Sequence, residues 1–190
     1  ITASSKTYNG STSATLDPSL VIYSGLVTGD TFDGTYTGVF SNANVGTGKT
    51  VNITPSYSGA DVNNYSVTDQ SSTTADISAK VLTATASASN KTYDGGTTAS
   101  TTLTFSGLVG SETLGQTVGS TFDNKNVGSN KTVTVNSITL SDSSGLAANY
   151  SISAGQTTTA NITAKSLTVS GITASNKMYD GNTVATLSSS

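Results

Sequence analysis

The side chains able to do acid–base or nucleophilic chemistry in this chain of 190 residues are few. There is no His and no Cys, so general acid–base work would fall to Asp, Glu, Lys or Tyr. A Ser–Lys dyad is the one nucleophile–base pair that the composition leaves open. Gly46-Thr47-Gly48-Lys49-Thr50 invites comparison with a phosphate-binding loop, but the first glycine of that pattern would fall at Ala43. The next residues, Val51-Asn52-Ile53, read as strand rather than helix. Calcium fits better, because it takes carboxylate and amide oxygens. Asp30 with Asp33, and Asp123 with Asn124 and Asn126, are the candidate ligands, though the same residue types are ordinary in turns. A Lys–Asn amide crosslink needs a carboxylic acid kept neutral by burial, and Glu112 is the only glutamate. These residues recur at near-constant spacing, as parts of a scaffold would. The sequence therefore predicts no enzyme and assigns no catalytic residue and no cofactor beyond that calcium.

The elements that carry them are organised by one short pattern. Lys91-Thr92-Tyr93-Asp94-Gly95 recurs as Lys6-Thr7-Tyr8-Asn9-Gly10 and as Lys177-Met178-Tyr179-Asp180-Gly181, with the tyrosines 85 and 86 residues apart. A period of that length marks a tandem array. Asn-Gly and Asp-Gly tolerate positive φ and favour tight turns, so the pattern predicts strand, turn and second strand. Tyr would lay its ring on a core edge with its hydroxyl in water, and the Lys stem would cover apolar surface beside it.

Between the turns, two copies align. Ser24-Gly25-Leu26-Val27 matches Ser106-Gly107-Leu108-Val109, and Phe40 to Gly46 matches Phe122 to Gly128. Lys49-Thr50-Val51-Asn52-Ile53 matches Lys131-Thr132-Val133-Thr134-Val135, both alternating as a half-buried strand does. Asn64-Tyr65-Ser66-Val67 matches Asn149-Tyr150-Ser151-Ile152. A slip of phase at Asn136-Ser137 predicts a β-bulge. Length differences place a surface loop around residues 57–62 and 140–147. The expected organisation is a first repeat at 1–80, already under way at Ile1, a second at 81–165, and the start of a third at 166–190. The chain reads as a segment of a longer polypeptide.

The predicted fold is all-β: small immunoglobulin-like sandwiches strung into an elongated rod. The alternative is a small β-grasp-like mixed fold with a short helix near Gly29 to Phe32 and Gly110 to Thr113. Lys80-Val81-Leu82-Thr83-Ala84 and Lys165-Ser166-Leu167-Thr168-Val169 join neighbouring repeats as strand-like linkers, which would restrict bending.

Composition narrows the partners. Hydrophobic residues make up 34% and charged residues 10%, with a net charge of −3. Without clustered positive charge, nucleic acid and anionic membrane surfaces are poor partners. No apolar run approaches a membrane span. The chain lacks disulfides to staple a small domain.

The Lys-x-Tyr-Asp-Gly start, the Gly-Leu-Val segment, the Phe-x-x-x-Asn-Val-Gly stretch, the Asn-Tyr-Ser segment and the Ala-Asn-Ile-Thr-Ala-Lys ending resemble YDG repeats. Asn9 departs from the pattern but keeps its turn chemistry. Such repeats occur in long bacterial surface and secreted proteins, including filamentous-haemagglutinin-like adhesins. The resemblance implies an extracellular spacer or stalk in an adhesin or biofilm-matrix protein, with neighbouring repeats as its partners. It implies structural turn residues at Tyr8, Asn9, Gly10, Tyr93, Asp94, Gly95, Tyr179, Asp180 and Gly181, and no catalytic ones. Two alternatives stay open. One is a self-associating fibre component, since polar edge strands with few charges are weak barriers to lateral pairing. The other is a glycan or host-surface module using Tyr36 or Tyr57.

Overall fold

The structure is a computed structural model that describes residues 1–189, the last by its backbone alone. Ser190, the end of the expected third span, lies outside the described residues. β-Branched residues alternate with polar ones through most of the chain, and it folds as all-β. The short helix of the alternative mixed fold is absent near Gly29 and Gly110: both stretches are turn and irregular chain, because no apolar stripe succeeds them to bury a helix face. The helical elements among the described residues are single 3-10 turns at Val62–Asn64 and Ala147–Asn149.

The first repeat builds a five-stranded sheet in the order Lys6–Thr7, Ser72–Ser78, Gly46–Ser58, Asp33–Phe40, Ser13–Ala14. The second builds Lys91–Thr92, Thr157–Thr163, Gly128–Ser141, Gly115–Phe122, with Thr98 bridging to Thr121 at the far edge. Beside each sheet lies a two-stranded antiparallel ladder, Thr2–Ala3 with Leu16–Asp17 and Thr83–Ala88 with Thr101–Ser106. Strand alternation sends Val51 and Val133 into the interior, both fully buried, while Asn52 faces solvent. The expected bulge is present: Gly119 pairs with Ser137 and Ser120 with Val135, leaving Asn136 unpaired. That extra residue lets Val135 and Ile138 both face inward across the phase slip.

The recurring turn lies between two short strands, Lys6–Thr7 and Ser13–Ala14, as expected. Its flanking strands do not pair with each other. Lys6–Thr7 runs parallel to Ile77–Ser78 at one edge, while Ser13–Ala14 runs antiparallel to Gly38–Val39 at the other. So short a connection can reach both edges only because the sheet curls until they meet at the turn. The lysine ties them. Lys6 Nζ donates to Asn9 Oδ1 at 3.2 Å, Ser11 O at 2.5 Å and Ser13 O at 2.9 Å. Lys91 Nζ repeats this with Asp94 Oδ1 at 2.8 Å, Gly96 O at 2.9 Å and Thr98 O at 3.1 Å. Each nitrogen also sits over a ring at the sheet's end, Phe40 at 5.2 Å or Phe122 at 5.5 Å. Gly10 and Gly95 have φ of +76° and +83°, the left-handed backbone that the turn requires.

The third turn keeps its local bonds, Lys177 Nζ to Asp180 Oδ1 at 2.7 Å and to Asn182 O at 2.9 Å, without a sheet around it. Its hairpin, Ile172–Ala174 with Leu187–Ser189, leaves Tyr179 98% exposed. A lone hairpin has no second layer to close against. The two linkers also differ. Lys80–Val81 is a strand, paired parallel to Tyr150–Ser151, whereas residues 164–171 join no ladder. An extended segment becomes a strand only where a partner receives its backbone groups.

Candidate functional site

The residues with potential for chemistry are dispersed. Asp30 accepts a hydrogen bond from Tyr65, and Asp33 bonds the amide of Gly34 beside it. Asp123 Oδ1 pairs with Lys131 Nζ at 2.8 Å, and Asn124 Oδ1 accepts from the same nitrogen at 2.8 Å, so a lysine cation sits where calcium would bind. Asn126 donates its amide to Asn124. Among the described residues, no three acidic side chains come together as a metal-holding group. The loop-like Gly46 to Thr50 stretch begins a long strand rather than a phosphate cradle. Tyr36 and Tyr57 belong to an aromatic cluster. Tyr36 shares a hydrogen bond with Tyr23, Tyr57 donates to Asp69, and Phe32 packs against Tyr23, Tyr57 and Tyr65.

What the fold does gather lies between the repeats. A single buried cluster joins Tyr8, Phe40, Val51 and Ile77 of the first to Leu82 and Tyr150 of the second. The expectation that Tyr8 keeps its hydroxyl in water is overturned. Tyr8 is 6% exposed, and its ring meets Tyr150 edge-on at 5.4 Å. Its hydroxyl donates to Glu112 Oε1 at 2.7 Å, while Tyr150 donates to Glu112 Oε2 at 2.6 Å. One carboxylate thus clasps a tyrosine from each repeat. The amide of Val109 donates to the Tyr150 hydroxyl at 2.9 Å and fixes it. Alongside, Asn149 is 1% exposed. Its Oδ1 accepts from the Val45 amide at 2.9 Å, and its Nδ2 donates to Asn44 Oδ1 at 3.1 Å. Leu82, 3% exposed, donates its amide to Ser151 O at 2.8 Å and locks the linker down.

Sequence reasoning singles out Tyr8 and Glu112 for other reasons and misses their meeting, because 104 residues separate them. The available signal is the repeat itself: Glu112 aligns with Asp30, and Asn149-Tyr150 with Asn64-Tyr65. The first repeat holds the same half-site, with Tyr65 Oη donating to Asp30 Oδ2 at 2.7 Å and the Val27 amide to Tyr65 Oη at 3.0 Å.

Burial, reinforced by the Glu112 carboxylate, pushes the Tyr8 hydroxyl up to about 12 from 10.0. Burial and the same carboxylate also raise Tyr150. A raised tyrosine pKa means that the folded state holds its proton more tightly than the unfolded chain does. That stabilisation is complete below about pH 10 and disappears as pH climbs through 12. Stability should therefore hold flat to about pH 10 and fall steeply above it, with Tyr8→Phe shallowing the fall. Tyrosinate absorbance followed beside circular dichroism checks this; ionisation of every tyrosine near 10 without loss of structure would contradict it.

Among the described residues no helix is long and apolar enough to cross a membrane. Searches of curated proteins and of solved structures returned no match. The family profile described as "YDG domain" matches residues 1–75 and again 78–160. Twice over, then, across the sheets whose tyrosines meet at Glu112, the chain belongs to the YDG domain family.

Proposed function

We propose that this chain is a spacer segment of a long bacterial extracellular protein of adhesin or biofilm-matrix type. In this reading its repeats are small β-sandwiches laid end to end to hold a distal part away from the cell surface. The observation that carries the reading is the Tyr8–Glu112–Tyr150 clasp with its buried Asn149 and Leu82. A spacer needs joints that resist bending, and a linker that is paired, buried and hydrogen-bonded supplies one. The recurring chemistry of each turn goes into tying sheet edges, which suits a load-bearing role.

Small-angle scattering tests the shape. A compact globule of this length has a radius of gyration of about 16 Å, whereas two repeats end to end give roughly 20 Å or more. The longer value is expected, with a distance distribution skewed to long vectors. A symmetric distribution near the compact value would remove the spacer reading.

A further inference from the structure

We propose that each repeat is a shear clamp, which holds the chain against a pull applied along its length. The inference deepens the spacer reading and takes its biological use from it. It stands on how the chain enters and leaves each sheet. Lys6–Thr7, near the start of the first repeat, runs parallel to the end of Ser72–Ser78, with Lys6 opposite Ile77 and Thr7 opposite Ser78. The second repeat does the same, Lys91 lying opposite Ile162 and Thr92 opposite Thr163.

Direction decides what such a pair does under load. A pull on the chain draws the entering strand backward, toward its N-terminal end, and the leaving strand forward. In parallel neighbours these forces oppose each other along a shared axis, so the strands must slide past one another. The hydrogen bonds span the gap between the strands, and all are strained together. In antiparallel neighbours pulled apart at one end, the bonds break one pair at a time.

The same bonds extend both clamps beyond the ladder. Upstream of the pair, Ser5 Oγ accepts from the Asp76 amide at 3.0 Å, and Asn90 Oδ1 from the Asn161 amide at 2.7 Å. Downstream, the Tyr8 amide donates to Ser78 O and the Tyr93 amide to Thr163 O, both at 2.8 Å. Ser78 Oγ donates to Lys6 O at 3.3 Å, and Thr163 Oγ1 to Lys91 O at 3.4 Å. The leaving strand is anchored on its far side. Ile77 and Ile162 are each 1% exposed, and they pair there with Gly46 and Gly128 of the long strands. The entering strand is also pinned through its lysine, whose Nζ reaches the carbonyls of Ser11 and Ser13, or of Gly96 and Thr98.

Single-molecule force spectroscopy tests the dependence on direction. The chain has no cysteine, so thiol handles attach only where one is introduced. Pulled through handles on its two ends, the chain loads both clamps in shear. Each repeat that yields should lengthen it by roughly 250 Å, at about 3.5 Å for each residue freed. Pulled instead through Asp33→Cys and Ser58→Cys, the exposed end of the ladder between Asp33–Phe40 and Gly46–Ser58, the first repeat opens pair by pair. That ladder has eight pairs against the clamp's two, so a tally of bonds predicts the higher force for the handles at 33 and 58. The shear clamp predicts the reverse, with an end-to-end unfolding force about twofold higher or more at the same loading rate. Equal forces, or a lower one end to end, would overturn the clamp. With an elongated scattering profile, that result would leave the spacer reading standing. A higher end-to-end force in a compact particle would keep the clamp and remove that reading.

Discussion

Tyr8→Ala is expected to cost about 3–5 kcal/mol and to uncouple the two repeats, the range found when a buried aromatic ring is truncated to a methyl group. The ring is 6% exposed and packs on Tyr150, and its hydroxyl fills one oxygen of Glu112. Removing it opens a cavity within the shared cluster and strips the clasp of one donor. Because that cluster is common to both sheets, the intact chain should unfold across the joint as a unit, and the variant should melt in two steps. Tyr8→Phe, which keeps the ring, should cost about 1–2 kcal/mol. The control lies within the protein: Tyr93 occupies the same motif position but is only half-buried, so Tyr93→Ala should cost clearly less than Tyr8→Ala. Calorimetry of the three variants decides it. Equal costs for Tyr8→Ala and Tyr93→Ala would show that the joint adds nothing to the motif's local role.

Lys91→Met should cost about 2–3 kcal/mol, well above the cost of losing an ordinary surface lysine. Its Nζ joins the carbonyls of Gly96 and Thr98 to Asp94, and with them the two edges of a curled sheet. Methionine keeps the apolar stem against Phe122 and removes only the donors, which separates packing from hydrogen bonding. Lys177→Met makes the same local change where no sheet surrounds the turn, and it should leave the melting of the repeats unchanged. Lys91 also holds the Asp94 carboxyl below its usual range, along with the Gly96 amide. Stability from that carboxylate is present above pH 3.8 and declines as pH falls through the depressed value, a loss that Lys91→Met should reduce but not remove, since the Gly96 amide remains. Denaturant titration at neutral and acid pH reads both effects. A cost for Lys91→Met no larger than that for Lys177→Met would mean that the turn holds itself and the edges do not depend on it.

The repeat makes much of this molecule legible in advance. Alternation in Lys49 to Ile53 and Lys131 to Val135 specifies strands with Val51 and Val133 inside, because a period of two can bury only one face. The slip at Asn136 specifies the bulge for the same reason. The turn at Tyr-Asn-Gly and Tyr-Asp-Gly is readable from φ preference, but the partners of its flanking strands are not. Local rules favour a hairpin, and curling of the whole sheet carries Lys6–Thr7 and Ser13–Ala14 to opposite edges.

By itself, then, the sequence determined strand content, period, turn chemistry and the family, since each is written in spacings of a few residues or in similarity between copies. Tertiary structure alone decided that Glu112 joins Tyr8 to Tyr150, that Asn149 is buried while Asn64 is not, and that one linker is a strand while the other is bare. Closely similar local sequences took different states in those pairs. Burial and backbone pairing depend on what a neighbouring unit brings within reach, which no segment encodes alone.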